Sequence, residues 1–184
     1  TAVNGRWQTG PGHGLFDAVQ SSLGGLPFVA ENLGIITDSV ESLRHAYQMP
    51  GMSVLQFAFD GNPSNPNLPH NHERTGVTYT GTHDNNTTLG WWLTLSATTR
   101  QQVRDYLGHP AEPMPGALIR MAARSVSACA VFPMQDLLQL DSAARMNVPG
   151  HATGNWRWRF SWQQLEESLA GEMRQLLVQY GRAS

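Results

Sequence analysis

Val77-Thr78-Tyr79-Thr80-Gly81-Thr82-His83-Asp84-Asn85-Asn86-Thr87 begins as a strand and ends as something a strand does not choose. The β-branched and aromatic run 77–80 reads as a buried strand. An imidazole, a carboxylate and two amides follow at its C-terminal end, where their desolvation costs free energy unless a polar ligand uses them. The same pattern recurs along the chain. Leu26-Pro27-Phe28-Val29-Ala30 is an apolar run ending in Glu31, Met52 to Phe59 is another ending in Asp60, and Val126 to Phe132 exits into Pro133-Met134-Gln135-Asp136. Helical spacings lie between these runs. Leu15, Phe16, Val19 and Leu23 form one, stopped by Gly24-Gly25. Asp38 opens a second through Val40, Leu43 and Ala46, stopped by Pro50-Gly51. Trp91 to Leu107 is a third, and Gly116 to Arg124 a fourth. Ser161 and Gln164 stand at capping-box spacing before a last helix with the stripe Leu165, Leu169, Met173, Leu176, Leu177 and Tyr180. The Gly-rich stretch 5–14 and the Pro/Asn-rich stretch 62–71 read as loops.

Apolar strands alternating with helices predict an α/β fold, with parallel strands covered by outer helices. Polar and acidic groups at several different strand exits are what a (β/α)8 TIM barrel carries on its active face. A doubly wound sheet is the competing architecture. It would offer a phosphate-binding glycine loop after its first strand, whereas Gly24-Gly25 precedes one. The barrel is therefore expected. Such a barrel typically takes about 250 residues and eight strands, and these 184 residues contain four apolar runs of strand length. The expectation is that residues 1–184 are the C-terminal half of a barrel domain, about strands 5 to 8.

Net charge is −2 and 14% of residues are charged, so neither nucleic acid nor an anionic membrane is an expected partner. All 12 basic residues are arginines, scattered rather than gathered on one face. The single Cys129 lies in the small apolar run 127–131 and reads as an inert buried thiol. No run of 18 apolar residues and no signal-peptide pattern at Thr1 is found, which makes a cytoplasmic location the default expectation.

Several ordered motifs resemble the amylomaltases, the 4-α-glucanotransferases of glycoside hydrolase family 77. They are Gly-Pro-Gly-x-x-Leu-Phe-Asp at 10–17, Ala-Glu-Asn-Leu-Gly-Ile-Ile-Thr at 30–37, Pro-Gly-Met-Ser-Val-Leu-Gln-Phe-Ala-Phe at 50–59 and Tyr-Thr-Gly-Thr-His-Asp-Asn at 79–85. Arg-Met-Asn-Val-Pro-Gly at 145–150 and Gly-Asn-Trp-Arg-Trp-Arg at 154–159 continue the resemblance almost to the end of the chain. It implies that Glu31, on the fifth barrel strand, is the general acid and base, and that Asp84, on the seventh, stabilises the transition state. It implies further that Asp60, His83 and, with weaker support, Asn147 contact sugar hydroxyls. Asn32 stands where many members carry Asp, and His72 where many carry Tyr. The family's nucleophilic Asp lies on the fourth strand in an Arg-x-Asp-type motif, upstream of anything in this sequence. Asp17 and Asp38 sit on predicted helices and Asp60 matches another strand, so none replaces it.

The activity implied is transfer of a segment of an α-1,4-glucan or maltooligosaccharide to the 4-hydroxyl of an acceptor, by a retaining double displacement within glycogen or maltodextrin metabolism. That chemistry uses two carboxyl groups roughly 5 to 5.5 Å apart and calls for no cofactor. The 184 residues alone are expected to be inactive and to need the N-terminal half of their own barrel. Blander readings stand beside these. Glu31 can be a helix N-cap carboxylate, and Asp84 a cap on the helix after Asn86. Against that, Glu31 follows an apolar run, so partial desolvation is expected to raise its pKa and keep it protonated for the acid step. A non-catalytic carbohydrate-binding half-barrel would keep Asp60, His83 and Asn147. A metal-dependent hydrolase on His70, His72 and His83 is a third reading, although their spacing matches no standard zinc pattern. Trp156 and Trp158 read as packing positions rather than a sugar platform.

Overall fold

A computed structural model describes residues 4–6 and 8–184; Thr1, Ala2, Val3 and Trp7, the last within the loop expected at 5–14, lie outside the described residues. The chain divides into two compact units, Thr1–Met52 and Ser53–Ser184.

The first unit contains α1 (His13–Leu23) and α2 (Asp38–Ala46). Gly24 ends α1 in the left-handed region (φ 73°), donating its N–H to the Gln20 carbonyl. In α2, Asp38 and Glu41 occupy the first turn and Arg44 and His45 the last, the charge order that complements the helix dipole. The run Leu26–Ala30 is not a strand. Among the described residues its one backbone bond to another segment runs from Ala30 N–H to the Pro50 carbonyl at 2.8 Å, and Phe28 and Val29 are left exposed. An apolar run becomes a strand only when a neighbour completes its ladder, and one rung does not.

This unit is tied by polar groups. Glu41 accepts from Asn32 Nδ2 at 3.0 Å and from Arg44 Nε at 2.9 Å, while Asn32 Oδ1 accepts the Met52 N–H at 2.8 Å. A Cβ at Gly51 would lie 2.9 Å from the Asn32 amide, so only glycine admits this bridge without displacing it. Burial pushes the Glu41 carboxyl up, but hydrogen bonds from Arg44 and Asn32 and the charges of Arg44 and His45 outweigh it and hold the pKa below the ordinary carboxylate value.

The sheet has the order β1 (Met52–Val54), β2 (Val77–Tyr79), β3 (Cys129–Val131), so among the described residues three strands form rather than the four expected. β2 and β3 are parallel, with Val77 opposite Cys129 and Tyr79 opposite Val131. Their connection carries α3 (Thr88–Thr94), α4 (Ala97–Leu107) and α5 (Gly116–Ala123), the crossover that parallel strands require. The single helix expected over 91–107 is divided because Ser96 caps α4, accepting the Thr99 N–H at 3.1 Å. After β3 come the short α6 (Met134–Leu137) and finally α7 (Glu167–Gln179).

The run expected as strand to Phe59 stops at Val54 and coils into a 3-10 turn over Leu55–Phe57, which buries Val54, Leu55 and Gln56 in succession. Leu55 packs with Leu118, Met121 and Ala122, and Phe59, Trp91, Tyr106, Leu107, Met114 and Phe132 close round them. At about 1.5 to 3 kcal/mol for each fully buried large side chain, this cluster is the main stabilising element of the second unit. The stripe expected on α7 faces inward but is only half-buried, and Ser161 N–H does bond Gln164 Oε1 at 2.7 Å, ahead of a 3-10 turn rather than of α7 itself. Cys129 corrects the buried-thiol reading. It is exposed, because β3 is the edge of the sheet and packs one face only in part. No described helix is long and apolar enough to cross a membrane.

Candidate active site

Three strand exits meet at one end of the sheet. From the β1 exit, Gln56 Nε2 donates to the Asn86 carbonyl at 3.0 Å. From the β3 exit, Asp136 accepts hydrogen bonds from Thr80 and Thr88, on either side of the His83-Asp84 turn. The turn leaves β2 through Gly81, where a Cβ would come within 2.5 Å of Gln56 Nε2; a side chain there would displace the brace. Inside the turn, Asn85 Oδ1 accepts from Thr82 N–H (2.9 Å) and Thr82 Oγ1 (2.8 Å), and Asp84 N–H donates to Thr82 Oγ1 at 3.3 Å.

Asp84 is not a helix cap. Thr87 caps α3, its hydroxyl accepting the Gly90 N–H at 3.0 Å. The Asp84 carboxylate turns instead to the 145–156 loop, where Asn147 Nδ2 donates to its Oδ1 at 2.5 Å. His83 Nε2 is 3.3 Å from the same oxygen, and both side chains remain about half exposed. Asn147 N–H also donates to the His83 carbonyl at 3.1 Å. Arg145 fastens the assembly from behind, donating Nη2 to the Asp84 carbonyl at 2.6 Å and Nε to the Asn147 carbonyl at 2.8 Å. The adjacent His83 and Asp84 and the sequence-distant Asn147 are therefore one hydrogen-bonded cluster. Its free surface is an acceptor flanked by imidazole and amide, which suits sugar hydroxyls.

Asp60 lies in the same unit beyond the 3-10 turn that follows β1, and its Oδ1 accepts the Asn62 N–H at 2.9 Å within its own loop. That bond, followed by one from the Asn65 side chain, holds its pKa below the usual value. Glu31 belongs to the first unit and lies in irregular backbone ahead of α2, whose cap is Thr37; it caps no helix. It is also exposed, so the desolvation expected for it is not supplied by this chain. Asn32 beside it has a structural task, as the bridge from Glu41 to Met52.

His70 and His72 do not join His83 as a ligand set among the described residues. His70 bonds the Tyr106 hydroxyl and the Pro63 carbonyl, and His72 bonds the Ser125 hydroxyl and the Asn67 carbonyl, which engages both nitrogens of each ring. Sequence reasoning missed Arg145, although it begins a quoted motif, because backbone carbonyls as partners leave no pattern in side chains. It also mistook Trp156. Trp158 does pack, stacked on Phe160 at 6.0 Å, but Trp156 is 53% exposed and sits against the His83 ring at 5.0 Å. Its backbone is held at φ 63°, an outlier for a bulky residue, and its N–H donates to the Met146 carbonyl at 2.8 Å.

The 4-alpha-glucanotransferase family model matches residues 1–165. The chain belongs to this family. A 4-alpha-glucanotransferase of Synechocystis sp. is 49% identical over 185 residues, covering 99% of this chain and 37% of that protein. The chloroplastic/amyloplastic 4-alpha-glucanotransferase of Solanum tuberosum is 46% identical over 185 residues, 98% of this chain and 32% of its own length. Among solved structures, the amylomaltase from Streptococcus agalactiae in complex with acarbose superposes with a TM-score of 0.95 at 34% identity, covering 100% of this chain and 38% of that one. This family member thus spans little more than a third of the relatives it matches, at most 38% of any of these three.

Proposed function

We propose that this chain is the C-terminal half of the catalytic (β/α)8 barrel of a disproportionating 4-α-glucanotransferase, contributing about strands 5 to 8. The observation that carries the reading is the Asp84 carboxylate at a parallel-strand exit, oriented by Asn147 and His83 in a chain of this family. The donor is an α-1,4-glucan or maltooligosaccharide, and the acceptor is the 4-hydroxyl of another glucan or of glucose. Glu31 protonates the glycosidic oxygen as the leaving group departs, and later accepts the proton of the incoming 4-hydroxyl. An Asp on a fourth strand, outside this chain, forms the covalent glycosyl enzyme and is released when the acceptor attacks. Asp84 stabilises the oxocarbenium-like charge on the ring carbon, where a fixed carboxylate is most effective because it need not reorganise. Asp60, His83 and Asn147 hold hydroxyls of the sugars flanking the bond, which turns binding energy into orientation. No step calls for a cofactor. Maltodextrin or glycogen metabolism in the cytoplasm is the setting we assign; the family supports the metabolic part of that assignment.

The test is the full-length protein supplied with maltotriose. Glucose release together with longer oligomers supports the reading. Binding without turnover would support the non-catalytic alternative instead.

A further inference from the structure

We infer that Asp136 is a positioning residue for the reaction, clamping both ends of the turn that carries His83 and Asp84. The inference rests on the reading of Asp84 as the transition-state carboxylate. Asp136 lies in the first turn of α6, after β3, and is 1% exposed. Its Oδ2 accepts the hydroxyls of Thr80 at 2.6 Å and Thr88 at 2.7 Å, and its Oδ1 accepts the Thr88 N–H at 2.7 Å. Thr80 is the last residue before the turn and Thr88 the first of α3, and both are fully buried. One carboxylate therefore holds the two ends of the 81–87 segment together.

A carboxylate is a costly way to fill such a site. Burying one is penalised unless every lone pair finds a donor, and an apolar side chain of similar volume often serves stability as well. What the carboxylate adds is direction. Three short bonds to an anion fix the spacing of Thr80 and Thr88 more sharply than packing does. With both ends fixed, and the interior of the turn fixed by Thr82 and Asn85, the position of Asp84 is set before any sugar arrives. A displacement of about 1 Å at a reacting group can cost about 10²-fold in rate, which sets the size of effect expected from loosening the clamp.

The experiment uses the full-length enzyme and four variants, Asp136→Asn, Thr80→Val, Thr80→Ser and Asp84→Asn. Folding is checked by circular dichroism, and kcat for maltotriose is compared with the dissociation constant for maltoheptaose. Asp136→Asn turns a donor toward the threonines, and Thr80→Val removes one hydroxyl with little change of volume. Each is expected to lower kcat about 10- to 100-fold while glucan binding changes far less. Thr80→Ser, which keeps the hydroxyl, should stay near the parent. If Asp136→Asn does not fold, the Thr80 pair decides. A folded Thr80→Val with parental kcat overturns the inference, and so does a folded Asp136→Asn with parental kcat. Parental turnover in Asp84→Asn would instead overturn the reading of Asp84 itself, which separates the two failures.

Discussion

Up to Met52, the side chains of Leu15, Leu23, Phe28, Val29, Ile35 and Val40 are exposed, and the described part of this unit is tied by Asn32, Glu41 and a buried Arg44. From Ser53 onward, Val54, Leu55, Val103, Leu118, Met121, Ala122 and Ala123 are at most 1% exposed and surround an apolar centre. Each unit brings candidate site residues, Glu31 in the first and Asp60, His83, Asp84 and Asn147 in the second. Of these only His83, Asp84 and Asn147, all in the second, are bonded to one another. The difference teaches that a packed core and an assembled side-chain cluster go together. Rigid strand exits need packed strands behind them, and the first unit has amphipathic helices whose apolar faces its own described residues leave open.

The strongest way to break this comparison is at the chemistry, because the proposal gives each unit one indispensable carboxylate. In the full-length enzyme Glu31→Gln and Asp84→Asn should each lower turnover by about 10² to 10⁴-fold, with glucan binding much less affected. Glucose release from maltotriose measures it. Parental activity in either variant would remove that residue from the mechanism. The same assay on the 184 residues alone should detect no transfer, since nothing in them is assigned to attack the anomeric carbon.

Packing comes next in size. Leu118→Ala should destabilise by about 2 to 5 kcal/mol, the range for emptying a packed site, whereas Leu15→Ala in the 184-residue chain should change stability by less than about 0.5 kcal/mol. Repeating Leu15→Ala in the full-length protein sharpens the contrast. A cost there like that of Leu118 would show that further chain covers α1. Thermal unfolding of each pair gives the comparison. Within the first unit, Glu41→Gln should cost about 1 to 3 kcal/mol, because Arg44, 4% exposed, would lose its charged acceptor.

The smallest effect is a difference in acid response. Burial holds the His72 pKa below its ordinary 6.5, with the charge of His70 acting the same way and the Asn67 carbonyl opposing. Between the lowered folded pKa and 6.5 the unfolded chain binds the extra proton. Stability of the second unit therefore falls as pH drops below 6.5, and levels off below the folded value. Glu41 is also lowered, from 4.5, so its contribution is present above 4.5 and lost as pH falls through its folded pKa. Acidification should thus loosen the loop around His72 before it loosens α2. Amide hydrogen exchange followed against pH tests this order, and His72→Gln should abolish the upper step while Glu41→Gln abolishes the lower one.

Much of this protein is decided by local chemistry and is legible residue by residue. Gly24 ends α1, and the helices at 38–46 and 116–123 and the strand at 77–79 lie within a residue or two of where spacing and side-chain type put them. The order of motifs was enough to give the family. The adjacency of His83 and Asp84 was visible as well, since strand exits gather polar residues by a rule the sequence displays. Tertiary structure alone decided everything that depends on a partner distant in the chain. Leu26–Ala30 has the composition of a strand but makes one rung of a ladder, because a strand is made by its neighbours. Cys129 and Trp156 look buried in sequence and are exposed, since burial depends on what packs opposite. Arg145 and Asp136 brace the Asp84 turn across about 50 to 60 residues of chain through carbonyl, hydroxyl and amide groups that every sequence contains, and only folding brings those particular ones within hydrogen-bond reach.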